Sequence, residues 1–207
     1  MVRILLVDDH AVVRRGIRAI LEDGLHGAHV SEAGSGEAAL AALVQPFDAV
    51  VLDLSMPGRS GIDLLSEIKH RWPKLPVLIM SLHPEEHFAV RALRAGASGY
   101  LTKAAAPEAL IDAVQKVTRG GKYISQAVAE RMASDLGGRA SVPHERLSDR
   151  EFEVMRGIAE GNTVSEIASR MHLSVKTVST YRTRLLEKMG MDSNAELTRY
   201  AIQNQLV

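Results

Sequence analysis

The first half of the chain alternates short, unbroken apolar runs with stretches of helical periodicity. Three runs stand out, ILLV at residues 4–7, AVVLDL at 49–54 and VLIMS at 77–81, and acidic residues, proline or glycine bound each of them. An apolar run without polar alternation is typical of a strand that is buried on both faces of a parallel sheet. Weaker strands are predicted at residues 29–33 and 99–101. This pattern favours an α/β fold for the first half.

Helical patterns connect the predicted strands, at residues 11–22, 36–44, 61–71, 84–95 and 107–119. Five βα units in about 120 residues predict a doubly wound α/β domain with a five-stranded parallel sheet. Because crossovers between parallel strands are right-handed, the helices should cover both faces of the sheet. The first domain is therefore predicted at residues 1–120.

The second half of the chain has helix caps in place of strand signals. Ser148, Thr163 and Ser193 are each followed three residues later by glutamate, which is the capping-box pattern, and Ser174 is a further N-cap. Four short helices are predicted at residues 149–160, 164–171, 175–189 and 194–204. They form an all-α domain at residues 147–207. Residues 121–146 are predicted to be a linker with a candidate helix at 126–136 and a polar, glycine-containing stretch after it.

Composition excludes several classes of protein. The 207 residues contain 25 basic and 25 acidic side chains and no cysteine, so disulfides, thiolate metal sites and cysteine nucleophiles are excluded. No run approaches the roughly 18 apolar residues of a membrane span, and the amino terminus lacks the layout of a signal peptide. We therefore expect a cytoplasmic protein that has no membrane partner.

Polar residues follow the predicted strands where each strand ends. Asp8 and Asp9 follow the first strand, Asp53 lies near the end of the third, Ser81 ends the fourth, and Lys103 follows the fifth. The carboxyl ends of parallel strands meet at one edge of a sheet, so these side chains should share one cleft. Three neighbouring carboxylates need a cation, and an all-oxygen ligand set favours Mg²⁺. With an ammonium beside it, the remaining carboxylate could accept a phosphoryl group as an acyl phosphate.

The segments LLVDDH, VVLDLSMPGRSG, VLIMS and GASGYLTK, spread over residues 3–119, resemble the receiver domain of two-component response regulators. The resemblance implies a flavodoxin-like or CheY-like sheet with strand order 2-1-3-4-5. It implies that Asp53 accepts phosphoryl from a phosphohistidine on a sensor histidine kinase. The implied Mg²⁺ ligands are Asp9 directly, Asp8 through water, Asp53, and the backbone carbonyl of Ser55.

The same resemblance implies a switch around the phosphoryl group. Lys103 would contact the group, Ser81 would move toward it, and Tyr100 would follow. Many receiver domains have proline after the lysine, whereas Ala104 stands here, which leaves open whether the Lys103–Ala104 bond is cis or trans.

The predicted helix at residues 175–189 has two distinct faces. At 100° per residue, one arc about 100° wide holds its apolar residues, which are Val175, Val178, Leu185, Leu186 and Met189. The opposite face carries hydroxyls and bases, and residues 170–188 hold five bases against one acid. Arg182 falls on the apolar arc, so we hypothesise a partly buried ion pair with an acid of an earlier helix, and Glu151 is the first candidate.

Residues 143–207 resemble a LuxR-type DNA-binding domain through the LSDRE opening, the EIA segment and the SVKTV start of the long helix. With the receiver, the chain resembles the NarL/FixJ subfamily of response regulators. In a helix-turn-helix the long helix, here residues 175–189, is the recognition helix and lies in the major groove. The resemblance implies DNA contacts at Lys176, Thr177, Ser179, Thr180, Tyr181, Thr183, Arg184 and Lys188. For the last helix it implies dimer contacts at Leu197, Tyr200 and Ala201.

These features together predict a phosphorylation-dependent transcription regulator that binds double-stranded promoter half-sites as a homodimer, formed on phosphorylation or on DNA. Phosphorylation could uncover the recognition helix or drive dimerisation, and the sequence leaves both open. An aspartate-nucleophile phosphatase would need an acid where Ser55 stands, so we expect only slow self-phosphorylation and autodephosphorylation. A LuxR-type regulator gated by a small molecule would need a ligand pocket in place of the acidic cleft. A receiver that works without phosphorylation would not need Asp53 and Lys103.

Overall fold

The computed structural model describes residues 2–54, 56, 61–82, 85–136, 143–204 and 206–207. The chain divides into two compact units, Met1–Ala133 and Ser134–Val207. The first unit therefore extends past residue 120, because the segment after it returns to the sheet. Tyr123 forms a bridge to Gly99, and Val128 is buried in the core. The predicted linker thus begins later than expected, and its stretch at 137–142 lies outside the described residues.

The first unit is built on a parallel sheet of five strands in the order β2-β1-β3-β4-β5. The strands are β1 (Arg3–Val7), β2 (His29–Ala33), β3 (Ala49–Leu52), β4 (Val77–Ser81) and β5 (Gly99–Thr102). Every residue of β3 and β4 is buried, as continuous apolar runs require. The predicted fold class and strand order are confirmed.

Helices cover both faces of this sheet. They are α1 (Ala11–Gly24), α2 (Gly36–Ala42), α3 (Gly61–Arg71), α4 (Glu85–Arg94), α5 (Pro107–Thr118) and α6 (Gln126–Leu136). Successive side chains of a strand point to opposite faces, so β1 supplies two cores. Ile4 and Leu6 pack with residues of α1 and α5, whereas Leu5 and Val7 pack with residues of α2, α3 and α4.

The second unit is helical. A 3-10 turn (Pro143–Arg146) precedes α7 (Asp149–Ala159), α8 (Val164–Arg170), α9 (Val175–Met189) and α10 (Asn194–Gln203). The predicted caps are present. Ser148 and Thr163 each form a reciprocal capping box, and the side chains of Ser174 and Ser193 each accept a hydrogen bond from the backbone N–H three residues later. In the parts of the chain that the structure describes, none of the helices combines the length and apolar character needed to cross a membrane.

The apolar face of α9 is narrower than the projection predicts. Val178, Leu185 and Met189 are buried and Leu186 is half-buried, but half of the Val175 side chain is exposed. Val175 is the first residue of the helix, so no preceding helical turn covers it. At the other end, Gly190 takes a left-handed conformation with φ of 64° and closes the helix.

Candidate functional site

Two buried acids extend neighbouring strands at the carboxyl edge of the sheet. Asp8 follows β1 and its backbone N–H donates to the carbonyl of Ala33 at 3.2 Å. Asp53 follows β3 and its N–H donates to the carbonyl of Val7 at 2.9 Å. These bonds continue the ladder past the strand ends, so both backbones are held in place. The side chains of Asp8 and Asp53 are only 2% and 1% exposed.

Lys103 joins these two acids. Its backbone N–H donates to the carbonyl of Ser81 at 2.8 Å, which ties the loop after β5 to the end of β4. Its Nζ donates to Oδ2 of Asp8 at 2.6 Å and to Oδ2 of Asp53 at 2.7 Å. Burial lowers the pKa of Lys103, but hydrogen bonds and charge from Asp53 and Asp8 outweigh it, so the pKa is raised. The site therefore keeps an ammonium between two carboxylates.

The acidic cluster fits a divalent cation. Asp8, Asp9, His10 and Asp53 each offer one ligand atom, and all four atoms lie within 4.8 Å of one another. Oδ1 of Asp9 is buried with no hydrogen-bond partner, although Nδ1 of His10 lies 2.9 Å away. A buried carboxylate oxygen without a donor is costly unless a cation compensates it. Three carboxylates against one ammonium leave negative charge, which suits a hard ion such as Mg²⁺.

Two neighbours of this cluster were not predicted from the sequence. His10 lies directly after the acid pair, and that adjacency was the only signal for it. Arg14 on α1 donates from Nη1 to the backbone carbonyl of Asp8 at 2.6 Å. No motif marks a side chain that binds a backbone oxygen. Ser55, predicted to ligate Mg²⁺ through its carbonyl, lies outside the described residues.

The predicted switch residues lie on the two strands next to the cluster. Ser81 is the last residue of β4 and Tyr100 lies on β5, and both are fully buried. The N–H of Tyr100 donates to the carbonyl of Tyr123 at 3.2 Å, so the strand is also tied to the segment that precedes α6. The peptide bond between Lys103 and Ala104 is trans.

In the second unit, α9 presents the predicted polar face. The side chains at 176, 179, 180, 183, 184 and 188 are exposed, whereas Thr177 and Tyr181 are half-buried. Two of the hydroxyls donate hydrogen bonds to backbone carbonyls one turn earlier in the helix. Thr180 donates to the carbonyl of Lys176, and Thr183 donates to the carbonyl of Ser179. Each hydroxyl oxygen still has lone pairs for an outside donor.

Two cations of α9 differ from their predicted roles. Nζ of Lys188 donates to Oε2 of Glu151 at 2.7 Å, whereas Nε of Arg182 donates to Oδ1 of Asn194 at 2.7 Å. The predicted Arg182–Glu151 pair is therefore wrong. Arg182 and Lys188 are six residues apart on α9 and so face different neighbours, α10 and α7. Burial raises the pKa of Glu151, but the hydrogen bonds from Lys188 and Ser148 together lower it by more. The pKa of Glu151 is therefore lowered overall.

The predicted dimer residues of α10 are mostly core residues. Leu197 and Ala201 have no exposed surface and cannot contact a second copy in this conformation. Their helical spacing marks the face that packs on α7 rather than an interface, so the prediction is wrong for these two. Tyr200 is half-buried, and its hydroxyl lies 2.9 Å from Nδ1 of His144. Its dimer role stays a prediction.

An acidic pocket on a doubly wound sheet, followed by a helix-turn-helix unit, defines a class of regulators with a receiver and a DNA-binding domain. Residues 4–115 match the response regulator receiver domain, and residues 145–201 match bacterial regulatory proteins of the luxR family. The chain belongs to the NarL/FixJ subfamily of response regulators, which confirms the resemblance found in the sequence.

Individual proteins agree with this assignment over the whole chain. The response regulator UvrY of Escherichia coli strain K12 is 37% identical over 100% of this chain and 96% of its own length. The transcriptional activator protein ExaE of Pseudomonas putida is 40% identical over 99% of this chain and 97% of its own. The structure of RcsB from Salmonella enterica serovar Typhimurium, bound to promoter rprA in the presence of phosphomimetic BeF3-, has a TM-score of 0.68. It is 28% identical and covers 96% of this chain and 97% of its own.

Proposed function

We propose that Asp53 accepts a phosphoryl group from a sensor histidine kinase and that this modification controls DNA binding by the second unit. The observation that carries the proposal is the position of Lys103 Nζ, 2.7 Å from Asp53 and 2.6 Å from Asp8. In the transfer, an oxygen of Asp53 forms a bond to phosphorus while the phosphorus–nitrogen bond of phosphohistidine breaks. The imidazole nitrogen leaves and takes a proton.

Asp8, Asp9 and Asp53 would hold Mg²⁺, with the carbonyl of Ser55 as the ligand that the family implies. When bound, the ion neutralises oxygens of the transferring phosphoryl group. Lys103 would donate to an oxygen of the phosphoryl group and would give up its bond to Oδ2 of Asp53. Phosphorylation adds roughly −1.5 to −2 of charge and three acceptor oxygens, which would draw in the hydroxyl of Ser81 and let Tyr100 follow.

The second unit would bind promoter DNA through the exposed face of α9. Bases on this face neutralise phosphates, and the hydroxyls bond phosphates or base edges. Lys188 is left out because its ammonium is held by Glu151. The proposed contacts are Lys176, Thr177, Ser179, Thr180, Tyr181, Thr183 and Arg184. A homodimer would read two half-sites. Binding of one half-site would hold the second unit near the other half-site at a high effective concentration, which raises the overall affinity.

The test treats the full chain with phosphoramidate and Mg²⁺ and measures mass, oligomeric state and DNA binding. We expect one phosphoryl adduct and tighter DNA binding for the wild type. Asp53→Asn should gain no adduct. Asp23→Asn, an exposed acid on α1, is the matched control and should behave like the wild type. A wild type without an adduct contradicts the phosphoacceptor role, and an adduct that leaves DNA binding unchanged contradicts the coupling.

The same samples separate the two modes of control that the sequence leaves open. Tighter DNA binding by a phosphorylated monomer favours release of the recognition helix, whereas a new dimer favours control by association. We propose no turnover of phosphate esters beyond slow self-phosphorylation and autodephosphorylation. The acid that a phosphatase needs two residues after Asp53 is replaced by Ser55.

A further inference from the structure

Arg14 connects the second strand to the acid pair. From α1, its Nη1 donates to the backbone carbonyl of Asp8 at 2.6 Å, and its Nε donates to Oε2 of Glu32 on β2 at 3.2 Å. The side chain is only 17% exposed. Glu32 therefore holds the guanidinium in place, and the guanidinium in turn fixes the oxygen of the peptide group between Asp8 and Asp9.

This peptide group matters because the two carboxylates are held differently. The Asp8 carboxylate accepts bonds from the N–H of His10 at 2.7 Å and from Lys103 at 2.6 Å. The Asp9 carboxylate has one cationic partner among the ion pairs of the described residues, Nδ1 of His10, and its buried Oδ1 has no hydrogen-bond partner. A peptide group is planar, so fixing the oxygen of Asp8 also fixes the nitrogen and Cα of Asp9. The backbone is thus what places the Asp9 carboxylate.

We propose that Arg14, supported by Glu32, is a positioning residue that orients the Asp8–Asp9 peptide for binding of Mg²⁺. It acts through the backbone oxygen of Asp8 and contacts neither the cation nor the phosphoryl group. The inference rests on the proposed function of the pocket. Partners that orient metal ligands typically change metal affinity by about 10–100-fold when they are lost.

Arg18 provides a matched control one helical turn later. Its Nη1 contacts Oε1 of the same Glu32 at 3.4 Å and its Nε contacts Glu22 at 2.9 Å, while Asp8 is not among its partners. Arg18→Met therefore removes the same charge and a contact to the same acid. It leaves the bond to the Asp8 carbonyl in place.

The experiment measures Mg²⁺ affinity of the unphosphorylated full chain by calorimetric titration. We expect Arg14→Met to raise the Kd for Mg²⁺ about tenfold and Arg18→Met to leave it near the wild-type value. Arg14→Lys restores a single donor and should give an intermediate Kd. The second readout is the rate of phosphorylation by phosphoramidate. In Arg14→Met the Mg²⁺ concentration for half-maximal rate should rise by the same factor, whereas the rate at saturating Mg²⁺ stays near the wild-type rate.

Equal Kd values for Arg14→Met and Arg18→Met would overturn the inference, as would a Kd change with no shift in the half-maximal Mg²⁺ concentration. If circular dichroism shows that Arg14→Met is unfolded, Glu32→Gln decides, because it keeps Arg14 and weakens its support. An unchanged Kd in Glu32→Gln then overturns the inference. A wild type that binds Mg²⁺ but gains no adduct removes the proposed function, while the comparison of Kd values still tests Arg14. A wild type that binds no Mg²⁺ removes both.

Discussion

The ion pair between Glu151 and Lys188 predicts an asymmetric effect on stability. Glu151 is 3% exposed, whereas the Lys188 side chain is 44% exposed. Lys188→Met leaves a buried carboxylate without a cation, and Ser148 is its remaining donor among the contacts described. Glu151→Gln keeps an acceptor for Ser148 and leaves an ammonium that water can solvate. Lys188→Met should therefore destabilise the second unit more than Glu151→Gln.

The magnitude follows from burial. Breaking a fully buried pair costs about 3–5 kcal/mol, and a hydrogen bond to a charged group is worth about 1.5–3 kcal/mol. Because water reaches the Lys188 side of the pair, we expect about 2 kcal/mol for Lys188→Met and under about 1 kcal/mol for Glu151→Gln. For a unit of this size, about 2 kcal/mol lowers the Tm by about 8–16 °C.

The assay is calorimetric melting of the full chain at pH 7, following the transition of the second unit. Glu187→Gln, an exposed acid next to Lys188, is the control and should leave that Tm unchanged. In the double variant, Lys188→Met should cost little, because the amide that replaces the Glu151 carboxylate has no charge to be left unpaired. The reasoning is refuted if Glu151→Gln costs more than Lys188→Met, or if the two costs simply add.

The pH dependence of the Lys188→Met effect has a definite sign. In the wild type the pKa of Glu151 is lowered, so its contribution is present above the ordinary value of 4.5 and is lost as pH falls through the folded-state pKa. Lys188→Met removes the hydrogen bond and the charge of the ammonium, so the pKa of Glu151 rises relative to its value in the wild type. Protonation then removes the buried charge as the solution is acidified. The difference in Tm between variant and wild type should therefore shrink from pH 7 toward pH 4.5, and a difference that grows would contradict this account.

Two further predictions concern the second unit. Log K for DNA binding falls as log salt rises, and Arg184→Ala should make this slope shallower by about 0.9, as expected for one lost phosphate contact. Lys188→Met should leave the slope unchanged. Filter binding over a salt series measures both. Leu197→Ala should destabilise the unit by about 2–5 kcal/mol through a core cavity, whereas Ile202→Ala, at a side chain that is 60% exposed, should stay within about 0.5 kcal/mol. Denaturant unfolding of both variants checks this pair, and equal losses would contradict the placement of Leu197 in the core.

The parallel sheet and the acidic pocket could be predicted from the sequence because one rule governs both. Continuous apolar runs mark strands buried on two faces, and parallel strands place their carboxyl ends at one edge. Asp8, Asp53 and Lys103 are up to 95 residues apart along the chain, yet they lie within hydrogen-bonding distance. Topology alone therefore brings these residues together, and no side-chain detail is needed to predict it.

The boundary of the first unit and the neighbours of the acid pair could not be predicted in this way. The segment around Val128 has a helical pattern, but periodicity does not say which surface a helix packs against. His10 and Arg14 act through a ring nitrogen and a backbone oxygen, whose positions depend on turn geometry and rotamers. Such contacts follow from the folded backbone and leave no spacing in the sequence.

The basic character of the recognition helix shows why charge counts overstate a DNA interface. Residues 170–188 hold five bases, but three are bound within the unit: Arg170 to Glu160, Arg182 to Asn194 and Lys188 to Glu151. A helical projection follows the direction of Cβ, whereas long cationic side chains reach sideways to acids and amides on other helices. Among the described residues, the side chains of Lys176 and Arg184 have no such partner. The electrostatic part of DNA binding should therefore depend on Lys176 and Arg184 rather than on all five bases of residues 170–188.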